Sequence, residues 1–372
     1  MCGLNQSKLG FATYALNDAS NISPAKMDSL TQLALGAAVG EATLGRKIGS
    51  RAILWGAIAG TLPDLDVFVP LGDAVKDFTY HRSASHSLFV LALLTPVSVW
   101  LITRIHPDTQ AHFKRWLLAI YMVFATHVLL DSLTAYGTQI FWPFVTTPVS
   151  FSSIFIIDPL YTLPLLVGII AALVMTRQTD RGHLINHFGL MASTLYLSWT
   201  LIAKTIVDRN FEDALRDQGI SYQKMFTTPS PFNSLLWRAV VRDQAGYYEA
   251  YYSLLDDDNN IRFSFFPSEE QLLDEIAEHW PVQRLKWFTR GFYAVSERQG
   301  DIVISDLRMG LEPSYVFQFK VGVISNPHPK PVAPERLTAD RDLSMLRLVW
   351  GRIWNKNLEL GPPPPQTAAW VR

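Results

Sequence analysis

Residues 87–103 read SLFVLALLTPVSVWLIT, a run without a single charged side chain. Residues 159–176 and 188–203 are equally free of charge. Stretches of this length and composition are candidate transmembrane helices. Working outward from them, the sequence predicts membrane segments at roughly 30–45, 51–63, 87–103, 116–132, 159–176 and 188–205. The first two are short and rich in Gly and Ala. At ~1.5 Å per residue, 51–63 covers about 20 Å, less than a ~30 Å hydrocarbon core. They fit a hairpin that dips into the bilayer or packs inside the bundle, with Gly36, Gly40, Gly56 and Gly60 permitting close helix contact.

Beyond residue 206 the composition changes. Residues 207–350 are charged and aromatic, with strand-like alternation at 235–241, 247–254, 261–266, 291–296, 302–306 and 315–321. Ser268-Glu269-Glu270-Gln271 has capping-box spacing and predicts a helix running to about Trp280. The expected fold is an α-helical multi-pass membrane bundle of about six segments, followed by an extramembrane α+β domain with an antiparallel sheet. The expected divisions are a polar leader (1–26), the membrane domain (27–206), the α+β domain (207–350) and a Pro-rich tail (351–372) carrying Pro362–Pro365. The leader lacks an apolar core and does not read as a secretory signal. Synthesis could begin at Met1 or at Met27.

A net charge of −1 gives no basic footprint, which argues against nucleic acid as a partner. Cys2 is the single cysteine, so an intrachain disulfide and a multi-cysteine metal site are both excluded. Basic residues are distributed unevenly over the connections. Arg46, Lys47, Arg51, Arg104, Lys114, Arg115, Arg177 and Arg181 fall on one set, against Lys76 and Arg82 on the other. The positive-inside rule then puts 64–86, 133–158 and the C-terminal domain on the extracytoplasmic side.

That side collects the candidate ligands. Asp64 and Asp66 follow Pro63; His81 and His86 bracket Arg82-Ser83-Ala84-Ser85; His127 and Asp131 lie four apart in an apolar run; Asp158 precedes Pro159. On a helix His127 and Asp131 share a face one turn apart, and burying both in an apolar segment is costly without a metal to bind them. Carboxylate with neutral imidazole suits zinc, and also manganese or iron. Such an ion activates water toward an ester or phosphoester. Asp66 reads equally as a ligand or catalytic carboxylate and as a cap of its turn. Asp158 reads as an outer carboxylate behind the ligands or as the N-cap of the next helix. Arg82 is the candidate phosphate clamp, with snorkelling or a carboxylate partner as its plain alternative. Ser83, Ser85 and Ser87 suit a helix start better than a nucleophile. His183 and His187 share helical spacing but have no carboxylate beside them in sequence. Tyr136, Phe141, Trp142, Phe144, Phe151 and Phe155 read as an interfacial aromatic belt, or as an apolar wall for a lipid tail.

Met27-Asp28-Ser29-Leu30-Thr31-Gln32, Leu62-Pro63-Asp64-Leu65-Asp66, Tyr80-His81-Arg82-Ser83-Ala84-Ser85-His86-Ser87 and His127-Val128-Leu129-Leu130-Asp131 together resemble the bacterial membrane-bound metal-dependent hydrolase family associated with the LexA regulon. The resemblance covers about residues 27–205. It implies an inner-membrane relative of zinc-dependent phospholipase C and P1 nuclease, whose sites also use a His-x-x-x-Asp helix pair. It further implies metal binding by His81, His86, His127, Asp131 and one or both of Asp64 and Asp66, and a lipid or phosphoester substrate. The chain departs from the soluble enzymes in lacking a second His-x-x-x-Glu pair, which argues against a full trinuclear site. The C-terminal domain resembles extensions of some family members, and its protein partner is left open.

Overall fold

The structure is a computed structural model and describes residues 24–175, 180–325, 328–338 and 344–360. The leader before Pro24 and the Pro362–Pro365 run lie outside the described residues. Helix α1 (Pro24–Gly40) passes through a π-helical turn (Glu41–Gly45) and returns as α2 (Ser50–Thr61). The hairpin closes on glycine. A Cβ built on Gly36 would lie 2.3 Å from the Gly56 carbonyl oxygen, and one on Gly56 would lie 2.3 Å from the Gly36 carbonyl oxygen.

A 3-10 turn (Pro63–Phe68) leads to α3 (Ala74–Tyr80), whose N-cap Asp73 accepts from the Val75 and Lys76 amides. A second 3-10 turn (Ala84–His86) enters α4 (Leu88–Ile105), capped by Ser87. A third (Pro107–His112) leads into α5 (Phe113–Ser132). After a loop pinned by the Thr138↔Val149 bridge come α6 (Pro159–Met175) and α7 (Arg181–Asp217). The last two run antiparallel: Tyr196 donates to Asp158, Ser193 donates to the Tyr161 carbonyl, and Gly168 faces Asn186. Ala34, Ala38, Trp116, Phe124 and Leu165 meet in the bundle core.

Among the described residues three helices, not six, are long and apolar enough to cross a membrane: Leu88–Ile105, Pro107–Ser132 and Arg181–Asp217. The physical reason is length. The 12 residues of α2 rise only about 18 Å and pack their glycine face on α1, and α6, with 17 residues, rises about 26 Å. Conversely, the expected segment at 188–205 is the middle of a 37-residue helix. At about 55 Å, α7 outruns the ~30 Å core. Its apolar face continues past residue 206 through Val207, Phe211 and Leu215, which pack on Trp237, Ala239 and Val241.

The C-terminal region holds two four-stranded antiparallel sheets. The first is a meander in the order β1 (Lys224–Pro229), β2 (Leu236–Arg242), β3 (Gly246–Ser253), β4 (Phe263–Pro267). Next come α8 (Trp280–Phe288), β5 (Tyr293–Arg298), β6 (Asp301–Asp306), a short hairpin β7 (Gly310–Leu311) and β8 (Ser314–Tyr315), β9 (Gln318–Val323), β10 (Lys330–Leu337) and α9 (Ser344–Trp354). The second sheet has the order β10-β9-β6-β5. The helix expected from Ser268 does not form there. Ser268 Oγ accepts from the Val295 amide at 3.0 Å, a 3-10 turn covers Glu270–Ile276, and the α-helix begins at Trp280. Strand β10 escaped the sequence pattern because it carries Pro331 and Pro334, which an edge strand with a bulge tolerates.

This region is docked onto the end of the bundle that carries residues 63–86. Val75, Phe78 and Tyr136 share one apolar cluster with Val282, Leu285, Phe288 and Phe319. Tyr136 is therefore a core residue rather than part of an interfacial belt; Phe144, at 78% exposed, remains on the surface.

Candidate metal centre

Three segments meet at one point. The 3-10 turn after α2 supplies Asp64, the 3-10 turn before α4 supplies His86, and α5 supplies His127 and Asp131. One donor atom from each of these four lies within 4.8 Å of the others. His86 Nε2 stands 3.2 Å from Asp64 Oδ1, 3.1 Å from Asp131 Oδ2 and 3.2 Å from His127 Nε2. His127 Nε2 is 3.6 Å from Asp64 Oδ1 and 3.5 Å from Asp131 Oδ2. Four ligands held tetrahedrally at ~2.0–2.1 Å from an ion are about 3.3 Å apart. These five edges scatter around that value, and the sixth, between Asp64 and Asp131, is no longer than 4.8 Å.

Hydrogen bonding fixes what these atoms offer. His127 Nδ1–H donates to the Gly60 carbonyl at 2.7 Å, so in the neutral ring its Nε2 carries the lone pair. Ser85 Oγ donates to Asp66 and lies 2.9 Å from His86 Nδ1, so it accepts from Nδ1–H, and in the neutral ring His86 Nε2 likewise carries the lone pair. With both rings neutral, two imidazole lone pairs and two carboxylate oxygens face one another, with Asp64 at the half-buried edge of the site. Asp64 Oδ2 and Asp131 Oδ2 are buried without an aligned hydrogen bond among the described residues. Acceptors converging on acceptors need a proton or a metal ion between them. The donor set fits a metal ion.

Surrounding groups hold the ligands in place. Gln32 Nε2 donates to Asp131 Oδ1 at 2.8 Å and to the His127 carbonyl at 3.3 Å. Arg82 Nε lies 3.2 Å from Asp131 Oδ2, its Nη1 donates to Thr134, and its guanidinium lies over the Tyr136 ring at 5.3 Å. Asp66 sits behind the cluster, accepting from the Arg82 amide at 3.1 Å and meeting His81 Nδ1 at 2.6 Å. Burial raises the Asp64 carboxyl, but hydrogen bonds from His127 and His86 and the Arg82 charge outweigh it and hold the group well below the usual range. Burial likewise favours neutral His86, and the neighbouring Asp131 and Asp64 carboxylates reverse this, pushing it up to about 9, so that a proton on Nε2 competes with a metal ion for the same place between the ligands.

Of the six sequence-predicted ligands, Asp64, His86, His127 and Asp131 converge. Asp66 and His81 form a separate pair beside them. Asp158 caps α6 through the Leu160 amide and accepts from Tyr196. Gln32, the Gly60 carbonyl and Thr134 were not foreseen; a buried glutamine on a helix otherwise lined with small residues was the available signal. At the opposite end of the α6–α7 hairpin, His183 does meet a carboxylate. Glu41 accepts from His183 and Asn186, a partner that comes from the π-helical turn rather than from its own helix.

Residues 27–207 match the YdjM inner membrane protein family. The match to YdjM runs from α1 into α7 and contains all four converging donors. YfhP of Bacillus subtilis (strain 168), described as an uncharacterized protein, is 23% identical over 300 residues, covering 72% of this chain and 89% of YfhP. That similarity extends over more of the chain than the YdjM match. No solved structure matches.

Proposed function

We propose that this chain is an integral inner-membrane metal-dependent hydrolase acting on an ester or phosphoester of a lipid or envelope molecule. The observation that carries this reading is the convergence of four metal-ligating atoms, five of whose six separations are 3.1–3.6 Å, close to those of a tetrahedral site. Asp64, His86, His127 and Asp131 hold the ion, and zinc suits two imidazoles with two carboxylates best, ahead of manganese and iron. The ion, when bound, supplies Lewis acidity and an acidic water. Gln32 and the Gly60 carbonyl orient Asp131 and His127. Arg82 holds Asp131 and presents its charge to a phosphate group arriving at that carboxylate. His81 Nδ1–H donates a hydrogen bond to Asp66, which leaves Nε2 as a proton acceptor; the pair serves as general base. Kinship with zinc-dependent phospholipase C and P1 nuclease rests on the His127-x-x-x-Asp131 pair.

A lipid substrate is favoured by the apolar surface on the loops that carry the site. Phe68 is 78% exposed, and Val67, Val69 and Leu71 are exposed beside it. Such a patch fits acyl chains at a bilayer surface. The bias of basic residues toward the other connections supports an extracytoplasmic position for the site and the C-terminal domain.

A second reading has its own support. Gln32 and Gly60 tie α1 and α2 to the ligands on α5, so an ion here also fastens the bundle, and a non-catalytic membrane protein with a structural metal would share this geometry. Elemental analysis of detergent-purified wild type beside His127→Ala and Asp131→Ala, followed by lipid and phosphoester hydrolysis panels, separates the two. Stoichiometric metal lost in folded, inactive variants supports the hydrolase. Variants that unfold or are degraded, with no hydrolysis by metal-loaded wild type, support the structural role. Absence of metal in reconstituted, folded wild type sinks both.

A further inference from the structure

A groove of about 730 Å³ opens on the C-terminal region, lined by Lys224, Met225, Lys286, Trp287, Arg290, Gly291, Phe292 and Tyr293. Its lining contains three cations and no carboxylate, in a chain whose acidic and basic residues nearly balance. None of the three forms an ion pair with a carboxylate of the described residues. Lys224 Nζ donates only to the Arg290 carbonyl, at 3.1 Å, and Lys286 Nζ lies over the Tyr293 ring at 5.8 Å. The nearby carboxylate, Glu270, is taken up by Arg242 and by the Tyr293 hydroxyl, so it does not neutralise the groove. Uncompensated cations around one concavity with aromatic walls make a site for an anion that carries an apolar or ring-shaped body.

We infer that this groove binds a phosphate ester of net negative charge, its phosphate held by Lys224, Lys286 and Arg290 and its body against Trp287 and Phe292. Position supports the assignment. Trp287 stacks on Arg284 at 4.1 Å, and Arg284 stacks on Tyr80 at 4.5 Å, immediately before His81. Arg284 also donates to Thr79 Oγ1 at 2.9 Å. The groove wall is therefore connected to the loop at the metal centre by two side-chain contacts. The inference does not depend on metal binding or hydrolysis.

The test uses the full chain in detergent, labelled with 5-fluorotryptophan, with the Trp287 resonance assigned through Trp287→Phe. The probes are glycerol phosphate, short-chain phosphatidylglycerol below its micellar concentration and, as the zwitterionic control, short-chain phosphatidylcholine. A saturable Trp287 shift with a phosphate-bearing anionic probe is expected. It should weaken at least tenfold in the Lys286→Gln/Arg290→Gln variant and weaken with added salt. A response to phosphatidylglycerol alone assigns a lipid headgroup; a response to glycerol phosphate as well assigns a free phosphate ester. Unchanged resonances of the other tryptophans in the variant establish that it is folded. No saturable shift, an equal response to phosphatidylcholine, or equal affinity in the folded variant overturns the proposal.

Discussion

Gln32 shows how much of the centre depends on a neutral side chain. It is fully buried, and its amide reaches both Asp131 and the main chain at His127. Removing such a partner leaves the ligands in place but frees their orientation, which typically costs 10–100-fold in metal affinity. Gln32→Ala should therefore fold and bind metal more weakly by about that factor, as read by chelator competition; wild-type affinity would remove Gln32 from the site. The pair on α5 was legible in sequence because helical spacing fixes its direction. Which of Asp64 and Asp66 faces the cluster was not. Pro63–Phe68 is a 3-10 turn, in which positions two apart point about 240° apart around the axis. One carboxylate therefore points to the other donors and the other to His81. Nothing in the apolar pattern announces a 3-10 turn of that length.

At the scale of elements, the α1–α2 hairpin is the frame of the site. The Gly60 carbonyl that orients His127 lies one turn beyond Gly56, and Gly36 lies one turn beyond Gln32, so glycine contacts and site contacts alternate along the same two helices. Gly36→Ala drives a methyl group into the Gly56 carbonyl, which is backbone and cannot swing aside. The helices must separate, at a cost of about 1–3 kcal/mol. The expected result is a lower thermal midpoint in detergent together with weaker metal retention, followed by calorimetry and elemental analysis. A variant that loses stability while binding metal normally would detach the hairpin from the site. The small residues were readable as a close-packing signal. Their consequence for topology was less so, because apolar composition alone does not give a helix its length; α2, at 12 residues, packs its glycine face on α1 while Leu54 and Ile58 stay exposed.

For the whole molecule, the composition change near residue 207 is real, but α7 runs straight through it as one rod into the core of the C-terminal region. Sequence periodicity could not reveal the docking, since the residues that make it, Phe78 and Tyr136 on one side and Phe288 and Phe319 on the other, are far apart in the chain. Arg308 is the polar part of that contact. It is 1% exposed, bonds Asp306 through Nε and Nη2 at 2.9 and 2.6 Å, and donates from Nη1 to the Tyr136 carbonyl at 3.0 Å. Tyr136 in turn lies against Arg82, which reaches Asp131. Arg308→Met leaves the Asp306 carboxylate buried and unpaired, a loss of about 3–5 kcal/mol. Arg308→Met combined with Asp306→Asn removes that charge while still cutting the link to Tyr136. The single variant should become protease-sensitive in the C-terminal region. The double variant should regain protease resistance yet retain metal less well, because the Tyr136–Arg82–Asp131 line has lost its outer support. Wild-type metal retention in the folded double variant would mean that the docked region covers the centre without steadying it.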